Sequence, residues 1–216
     1  MAQQTVEETL TQLPGKNCGQ CGYTTCRGFA MYVAEHPEAL ARCVHLLPQA
    51  PDMVADPLRE EDITWHDILG RPYDFILEQF PNDPGPREII LPFNVPRITA
   101  LGLRKGDIAF GRPSSMGCPV THVGRLMAAP HAIDGTITWC VVGPMAAREG
   151  GIEIGGYTPI AYEGVVRHSQ LELHIGARHY FLPRYCMLQS RHSGLVSQVV
   201  HYGDELQVRV EGIWVS

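Results

Sequence analysis

The 216-residue sequence lacks any long uninterrupted apolar segment. No window approaches the roughly 18 consecutive apolar residues that a membrane-spanning helix requires, so we expect no such span. The first residues, MAQQTVEETLTQL, contain neither a basic segment nor an apolar core, which predicts that the chain carries no secretory signal. Both absences favour a cytoplasmic protein, in which thiols stay reduced and clustered cysteines indicate a metal before a disulfide.

Motifs for common nucleotide and catalytic sites are also missing. The glycine-rich stretch 150–156 lacks the Lys-Ser/Thr pair of a P-loop and the strand–helix context of a dinucleotide-binding turn. The sequence contains no Gly-x-Ser-x-Gly elbow, no His-Glu-x-x-His helix and no paired-carboxylate pattern. We therefore expect neither an NAD site nor an ATP site, and the sequence identifies no catalytic residue and no substrate.

Positive charge is scarce in the first part of the chain. Residues 1–85 carry 13 acidic residues against 5 Lys and Arg, whereas residues 86–216 carry 10 acidic residues against 12. Nucleic-acid binding requires clustered cations, so we expect no nucleic-acid partner. An acidic surface is compatible with docking onto a basic protein partner, or it is an ordinary solvated face.

Hydrophobic periodicity divides the chain into three segments. Helical spacing in residues 1–50 predicts a small helical domain. Residues 51–85 are predicted to form a linker with a helical segment over 63–80, broken by glycine and proline. In residues 86–216, apolar and polar residues alternate between recurrent glycine turns, which predicts a mainly β domain, either barrel-like or sandwich-like. The expected fold class is α+β.

Four cysteines in the helical segment have the spacing C-x2-C-x4-C-x16-C. They are Cys18, Cys21, Cys26 and Cys43. A cubane iron–sulfur cluster needs four thiolates at the corners of a tetrahedron, commonly three from one loop and one from a distant segment. Gly19 and Gly22 lack Cβ atoms, so the loop can bring backbone amides close to the cluster sulfides. The pattern favours one 4Fe–4S cluster bound by the four cysteines.

Other interpretations of the four cysteines remain open. A structural zinc site usually combines two C-x2-C pairs, whereas the distal half of this motif is a single cysteine. Plant-type 2Fe–2S loops have the reverse order, C-x4-C-x2-C. Two disulfides would suit an exported protein, which the start of the chain does not indicate.

Residues 13–43, LPGKNCGQCGYTTCRGFAMYVAEHPEALARC, resemble the small iron–sulfur domain of corrinoid iron–sulfur proteins and of the B subunit of Rnf-type electron-transfer complexes. The shared pattern is L-P-x-x-N-C-G-x-C-G-x-x-x-C-x-x-F-A followed by a distal cysteine. The resemblance implies that the four cysteines bind one low-potential 4Fe–4S cluster, which passes single electrons to a corrinoid or along a redox chain. The chain has no room for both further domains of the corrinoid proteins, and it lacks the additional ferredoxin-type cysteines of the Rnf subunit. Its remainder resembles uncharacterised iron–sulfur proteins of anaerobes.

In the β region, Cys118 is the most suggestive residue. The segment SSMGCPVTH places glycine before and proline after this thiol, with His122 four residues on. On a turn, such a thiol is a metal ligand, a reactive thiolate or a packed side chain. If Cys118, His122, Cys186 and His192 converged, they would form a second metal site. Cys140, in a strand after tryptophan, is expected to be a small core residue.

Three functions are compatible with these features. The favoured one is low-potential one-electron transfer to or from a redox protein partner, such as a corrinoid protein or an oxidoreductase, in anaerobic metabolism. The second is a redox enzyme or cofactor-binding protein that uses the β domain as its ligand site. The third is a maturation or structural factor whose cluster stabilises a small domain. The sequence does not determine the oligomeric state.

Overall fold

The chain is divided into two compact units, Met1–Met53 and Val54–Ser216, in the computed structural model. The structure describes residues 5–17, 21–43, 46, 58–114, 116–148, 150–203 and 205–215. Among these residues, no helix has both the length and the apolar character needed to cross a membrane. The domain boundaries expected from the sequence stay a prediction.

The described part of the first unit is helical. It contains helix α1 (Val6–Gln12), helix α2 (Cys26–Glu35) and a 3₁₀ helix (Pro37–Arg42). Their apolar faces pack into one small core, because each helix is too short to be stable without tertiary contacts. The buried residues of this core are Leu13, Phe29, Ala30, Val33, Ala39 and Cys43.

Helix α1 begins with a reciprocal capping arrangement. The Thr5 hydroxyl accepts the backbone N–H of Glu8 at 3.3 Å, and the Glu8 carboxylate accepts the backbone N–H of Thr5 at 2.8 Å. Two amides that have no partner within the helix are thereby satisfied, which fixes where the helix starts.

The described part of the second unit is dominated by nine strands and confirms the prediction of a mainly β, barrel-like region. The strands are β1 (Phe75–Leu77), β2 (Arg87–Pro92), β3 (Ile108–Pro113), β4 (His122–Leu126), β5 (Ile137–Val141), β6 (Ile152–Val166), β7 (Arg178–Pro183), β8 (His192–Tyr202) and β9 (Glu205–Val215). Helix α3 (Val95–Leu101), helix α4 (Met145–Arg148) and a 3₁₀ helix (Glu60–Asp62) accompany them.

The long strand β6 organises the sheet, whose strand order is β1-β7-β8-β9-β6-β2-β5-β4-β3. Strand β3 also pairs in parallel with β6, so β6, β2, β5, β4 and β3 close into a five-stranded barrel. At the other end of the order, the backbones of Glu78 and Val165 exchange hydrogen bonds of 2.8 and 2.9 Å, which returns the end of β1 to β6. Strand β6 therefore borders two separate cores.

One core fills the closed barrel. Its buried residues are Ile90, Ile98, Leu103, Ala109, Leu126, Ile137, Trp139, Ile154 and Tyr157. The other core lies among β1, β6, β7, β8 and β9. Its buried residues are Phe75, Leu77, Met116, Tyr162, Val166, Leu173, Phe181, Val196, Val208, Val210 and Ile213.

Residues 63–80 differ from the helical segment expected there. Strand β1 lies near the end of this range, pairs in parallel with β7 and buries all three of its side chains. A tight turn precedes it, in which the Asp67 carboxylate accepts backbone N–H groups of Leu69 and Arg71, each at 2.9 Å. The periodicity of a short apolar run is compatible with a helix and with a buried strand. Here the hydrogen-bonded pairing with β7 makes the segment a strand.

Candidate functional sites

The first candidate site is the cysteine cluster of the first unit. Cys21, Cys26 and Cys43 lie in the described part of the chain, whereas Cys18 falls outside it. Cys43 is buried, Cys21 and Cys26 are half-buried, and the latter two pack against the core to which Cys43 belongs. The fold thus assembles three of the four predicted cluster ligands around one small core.

The loop between Cys21 and helix α2 is fixed by local hydrogen bonds. Gly22 has a φ of 91°, a conformation that side chains with a Cβ rarely adopt. The Asn17 side-chain oxygen accepts the backbone N–H of Cys26 at 2.8 Å, and the Thr25 hydroxyl accepts that of Gly28 at 3.0 Å. These contacts hold Cys26 at the first position of the helix and connect it to the segment before the motif.

The residues that are described fit an iron–sulfur cluster by their donor chemistry. Thiolates are the soft ligands that iron–sulfur clusters and zinc select, and no harder donor is needed to complete the motif. The ring of Tyr23 lies 5.5 Å from Phe29 and 5.2 Å from Tyr32 between centroids, so the loop after Cys21 is covered by aromatic rings. Apolar cover of this kind limits solvent access to a metal centre.

A second candidate site lies in the β unit, where four side chains form a chain of contacts. Cys118 Sγ lies 3.5 Å from His122 Nε2, and His122 Nδ1 lies 3.0 Å from Glu88 Oε2. Trp139 Nε1 donates to the same carboxylate oxygen at 2.7 Å. A carboxylate only accepts hydrogen bonds, so His122 Nδ1 carries a proton and Nε2 faces the thiol. We name Cys118, His122 and Glu88 the thiol relay.

The turn that carries Cys118 packs closely against strand β9. Gly117 has a φ of 82°, and a Cβ at this position would lie 2.9 Å from the Val215 carbonyl oxygen. The backbone N–H of Val215 donates to the Met116 carbonyl at 2.7 Å. His122 follows as the first residue of β4. The glycine before the thiol is therefore required both by its backbone conformation and by the close approach of β9.

Glu88 occupies the boundary between the two cores. On β2 it is paired in register with Trp139 of β5 and with Tyr162 of β6. Trp139 belongs to the core of the closed barrel and Tyr162 to the other core. Glu88 is fully buried and His122 is 7% exposed, so their hydrogen bond is shielded from water.

The thiol relay shifts the protonation of its members. Burial alone would lower the pKa of His122, but the Glu88 carboxylate and the hydrogen bonds to Cys118 and Glu88 raise this pKa to about 10. Burial alone would raise the pKa of Cys118, but the hydrogen bond from His122 and its charge lower it. Both shifts favour a thiolate paired with an imidazolium. Burial raises the pKa of Cys186, and backbone hydrogen bonds from Ser190, Leu188 and Gln189 offset this only in part.

The thiol relay borders a cavity through Cys118 and His122. The volume of this cavity is about 440 Å³, counted together with the open space at its mouth. Cys118, His122, Cys186 and His192 all line this cavity, so the four residues considered for a second metal site do share one location. However, the described residues include no group of three or more His, Cys, Asp or Glu side chains arranged to hold a metal ion. The second metal site at Cys118 and His122 stays a prediction, whereas the contact between these two residues is observed.

Sequence reasoning did not identify Glu88 or Trp139 as site residues. Glu88 lies in the strand REIILP, directly after Arg87 and before the apolar run, so its charge gave no signal that the side chain is buried. Trp139 lies in the core of the closed barrel, and its indole N–H also donates to the Glu88 carboxylate. Cys140 is fully buried beside it.

Comparison with known proteins agrees with the first site. Residues 13–45 match a family model described as "Putative Fe-S cluster". Over 222 residues the chain is 31% identical to "Uncharacterized protein MJ0119" of Methanocaldococcus jannaschii, with 96% of this chain and 92% of that protein covered. No solved structure matches the chain. The chain is an iron–sulfur protein. It belongs to the family of the Methanocaldococcus jannaschii protein.

Proposed function

We propose that the first unit binds one 4Fe–4S cluster through Cys18, Cys21, Cys26 and Cys43, and that the protein transfers single electrons at low potential. The observation that supports this proposal is the convergence of the three described cysteines on one small core. The bound cluster supplies one-electron oxidation and reduction. The resemblance to corrinoid iron–sulfur proteins and the Rnf subunit points to the same cluster type and the same chemistry.

The described cysteines of the first unit differ in how deeply they are buried, which gives them different roles in such a centre. Cys43, buried in the core, anchors the distal corner, while half-buried Cys21 and Cys26 lie nearer to solvent, where a partner can approach. Met1–Met53 carry five acidic residues against three Lys and Arg, a small excess that suits a basic docking surface. We propose a cytoplasmic redox partner of anaerobic metabolism, either a corrinoid protein or an oxidoreductase.

Anaerobic purification followed by electron paramagnetic resonance tests this function. After reduction with dithionite, we expect the signal of one reduced cluster, together with iron and acid-labile sulfide in equal amounts. A reversible midpoint potential in the range of low-potential ferredoxins supports electron transfer. A zinc protein without a paramagnetic signal would contradict both the cluster and the transfer role.

A structural role for the cluster is distinguished by the same preparation. If the cluster cannot be reduced and reoxidised without loss of iron, it stabilises the small domain and carries no electrons. The second function, a ligand site in the β unit, is favoured by a separate observation, the cavity at Cys118.

A further inference from the structure

The thiol relay joins a cysteine, a histidine and a carboxylate in the order that nucleophilic catalysis requires. We propose that Cys118 is the nucleophile of an acyl-transfer centre in the β unit, with His122 as its proton-transfer partner and Glu88 as the residue that positions His122. The substrate class is a small, largely apolar acyl ester or thioester that enters the adjoining cavity. This centre is independent of the electron-transfer function proposed for the first unit.

The hydrogen-bond geometry assigns each member a role. Glu88 Oε2 accepts hydrogen bonds from His122 Nδ1–H at 3.0 Å and from Trp139 Nε1–H at 2.7 Å, so two donors hold this one oxygen. With Nδ1 engaged, the imidazole ring presents Nε2 to Cys118 Sγ at 3.5 Å. A nucleophile within hydrogen-bond reach of a base, and a base oriented by a third group, is the arrangement that activates cysteine in hydrolases.

A purely structural role accounts poorly for this arrangement. A fully buried carboxylate is costly unless it is paired, and apolar residues of similar volume usually serve a core at least as well. The same barrel contains Cys140, a fully buried thiol whose pKa burial raises to about 12. Cys118 differs in all respects that matter for reactivity, because it lines a cavity, is half-buried and contacts a histidine.

The cavity restricts the substrate. Apolar side chains form much of its lining, including Val120, Val141, Met187 and Leu188. Such a lining favours an aliphatic or aromatic acyl group over a charged one.

The reaction conserves atoms and electrons without an added oxidant or reductant. The Cys118 thiolate forms a bond to the acyl carbon, the bond from that carbon to the leaving oxygen or sulfur breaks, and His122 Nε2–H protonates the leaving group. The product is a thioester on Cys118. Water then attacks this thioester, neutral His122 accepts a proton from the water, and the carboxylic acid and the thiolate–imidazolium pair are released.

The first test compares two thiols that line the same cavity in the unaltered protein. The full chain, prepared anaerobically, is treated with limiting iodoacetamide near neutral pH, and labelled peptides are quantified by mass spectrometry. We expect Cys118 to be labelled at least about tenfold faster than Cys186, because a thiolate is the reacting form. Equal labelling of the two thiols, or faster labelling of Cys186, would overturn the proposal.

The second test uses p-nitrophenyl acetate as an acyl donor. We expect an initial burst of p-nitrophenolate and an acetyl group on the Cys118 peptide, both absent in Cys118→Ser. His122→Gln should slow the burst by about 100-fold. Absence of the acetyl group from Cys118, or an unchanged burst in His122→Gln, would refute the centre. The absorption of the iron–sulfur cluster is measured for each variant and reports on the first unit alone. A negative result in the acetylation test therefore does not contradict the electron-transfer proposal.

Glu88→Gln distinguishes a positioning role from a structural one. Without the carboxylate, the thiolate–imidazolium pair is less favoured, so acetylation of Cys118 near neutral pH should be slower than in the unaltered protein. The pH at which the acetylation rate reaches half of its maximum should also be higher than in the unaltered protein. A merely structural change would lower the amount of folded protein without moving the pH profile. If Glu88→Gln does not fold, the comparison of Cys118 with Cys186 decides the proposal.

Discussion

His122 Nδ1 lies 3.0 Å from Glu88 Oε2, although the two residues are 34 positions apart in the chain. The contact forms in the closed barrel, where β2 and β4 both flank β5, so that Glu88 and His122 lie on strands separated by only one other strand. Trp139 of β5 donates to the same oxygen and therefore links the contact to the barrel core. The chemistry of the site depends on the packing of that core.

Gly124→Ala should destabilise the β unit through Trp139. A Cβ at position 124 would overlap the indole ring, which lies over this glycine of β4. We expect the free energy of unfolding to fall by about 1–3 kcal/mol, as is typical when a packed core receives an added methyl group. Urea denaturation measures the change. In a Trp139→Phe background the same substitution should cost less, and an equal cost in both backgrounds would exclude the overlap as the cause.

Asp67→Asn should destabilise the turn before β1. The Asp67 carboxylate is buried and accepts hydrogen bonds from the Arg71 guanidinium and from the backbone of Leu69, Arg71 and Arg191. Burial alone would raise the pKa of Asp67, but the hydrogen bonds from Arg71 lower it well below its usual value. Removing the charge weakens these hydrogen bonds, so the free energy of unfolding near neutral pH should fall by about 1–3 kcal/mol, measured by urea denaturation.

Glu61→Gln is the matched control for this prediction. Glu61 pairs with Arg59 at 2.9 Å, but both side chains are more than 70% exposed. Such surface pairs contribute little to stability, so we expect no resolvable change in the unfolding midpoint. A similar loss in Glu61→Gln and Asp67→Asn would show that burial of the carboxylate is not the decisive factor.

His192 should make the β unit less stable as the pH falls. Its Nδ1–H donates to the Ser190 carbonyl at 3.0 Å, and burial lowers the pKa of this histidine to about 4. The unfolded chain takes up a proton near the ordinary value of 6.5, which the folded protein resists until about pH 4. The free energy of unfolding should therefore fall by about 3 kcal/mol as the pH is lowered from 6.5 to 4. Below pH 4, protonation of His192 should cause no further loss of stability.

Denaturation at a series of pH values checks this slope. His192→Gln should flatten the decline between pH 6.5 and 4, whereas His174→Gln should leave it in place because His174 is exposed. A slope that survives in His192→Gln would assign the acid sensitivity to other groups.

Cys43→Ser should remove or convert the cluster and destabilise the first unit. Cys43 is the distal ligand of the proposed set and part of the small core, so its loss affects both metal binding and packing. Iron and sulfide content and the paramagnetic signal after reduction measure the result. Cys118→Ser is the control and should retain full iron. Iron loss in Cys118→Ser would disprove the four-ligand assignment.

The cysteine motif was accessible from the sequence because its information is local. Cys26 begins helix α2 only five residues after Cys21, and Gly22 and Asn17 shape the loop before the helix within the same short segment. Alternation of apolar residues likewise predicted a β region, since the strand period of two is written into each strand separately. The segment 63–80 was predicted as helical, since three apolar residues do not reveal whether a strand partner exists.

The sequence by itself determined the metal-binding motif and the β character of the second unit, because spacing and periodicity act over a few residues. The tertiary structure decided that β6 borders two cores and that Cys118, His122 and Glu88 meet at one cavity. Backbone hydrogen bonds between strands distant in the chain set the register that aligns Glu88 with Trp139. Such pairing depends on the whole barrel, so the local segment SSMGCPVTH could indicate Cys118 and His122 but not Glu88, which lies 34 positions from His122.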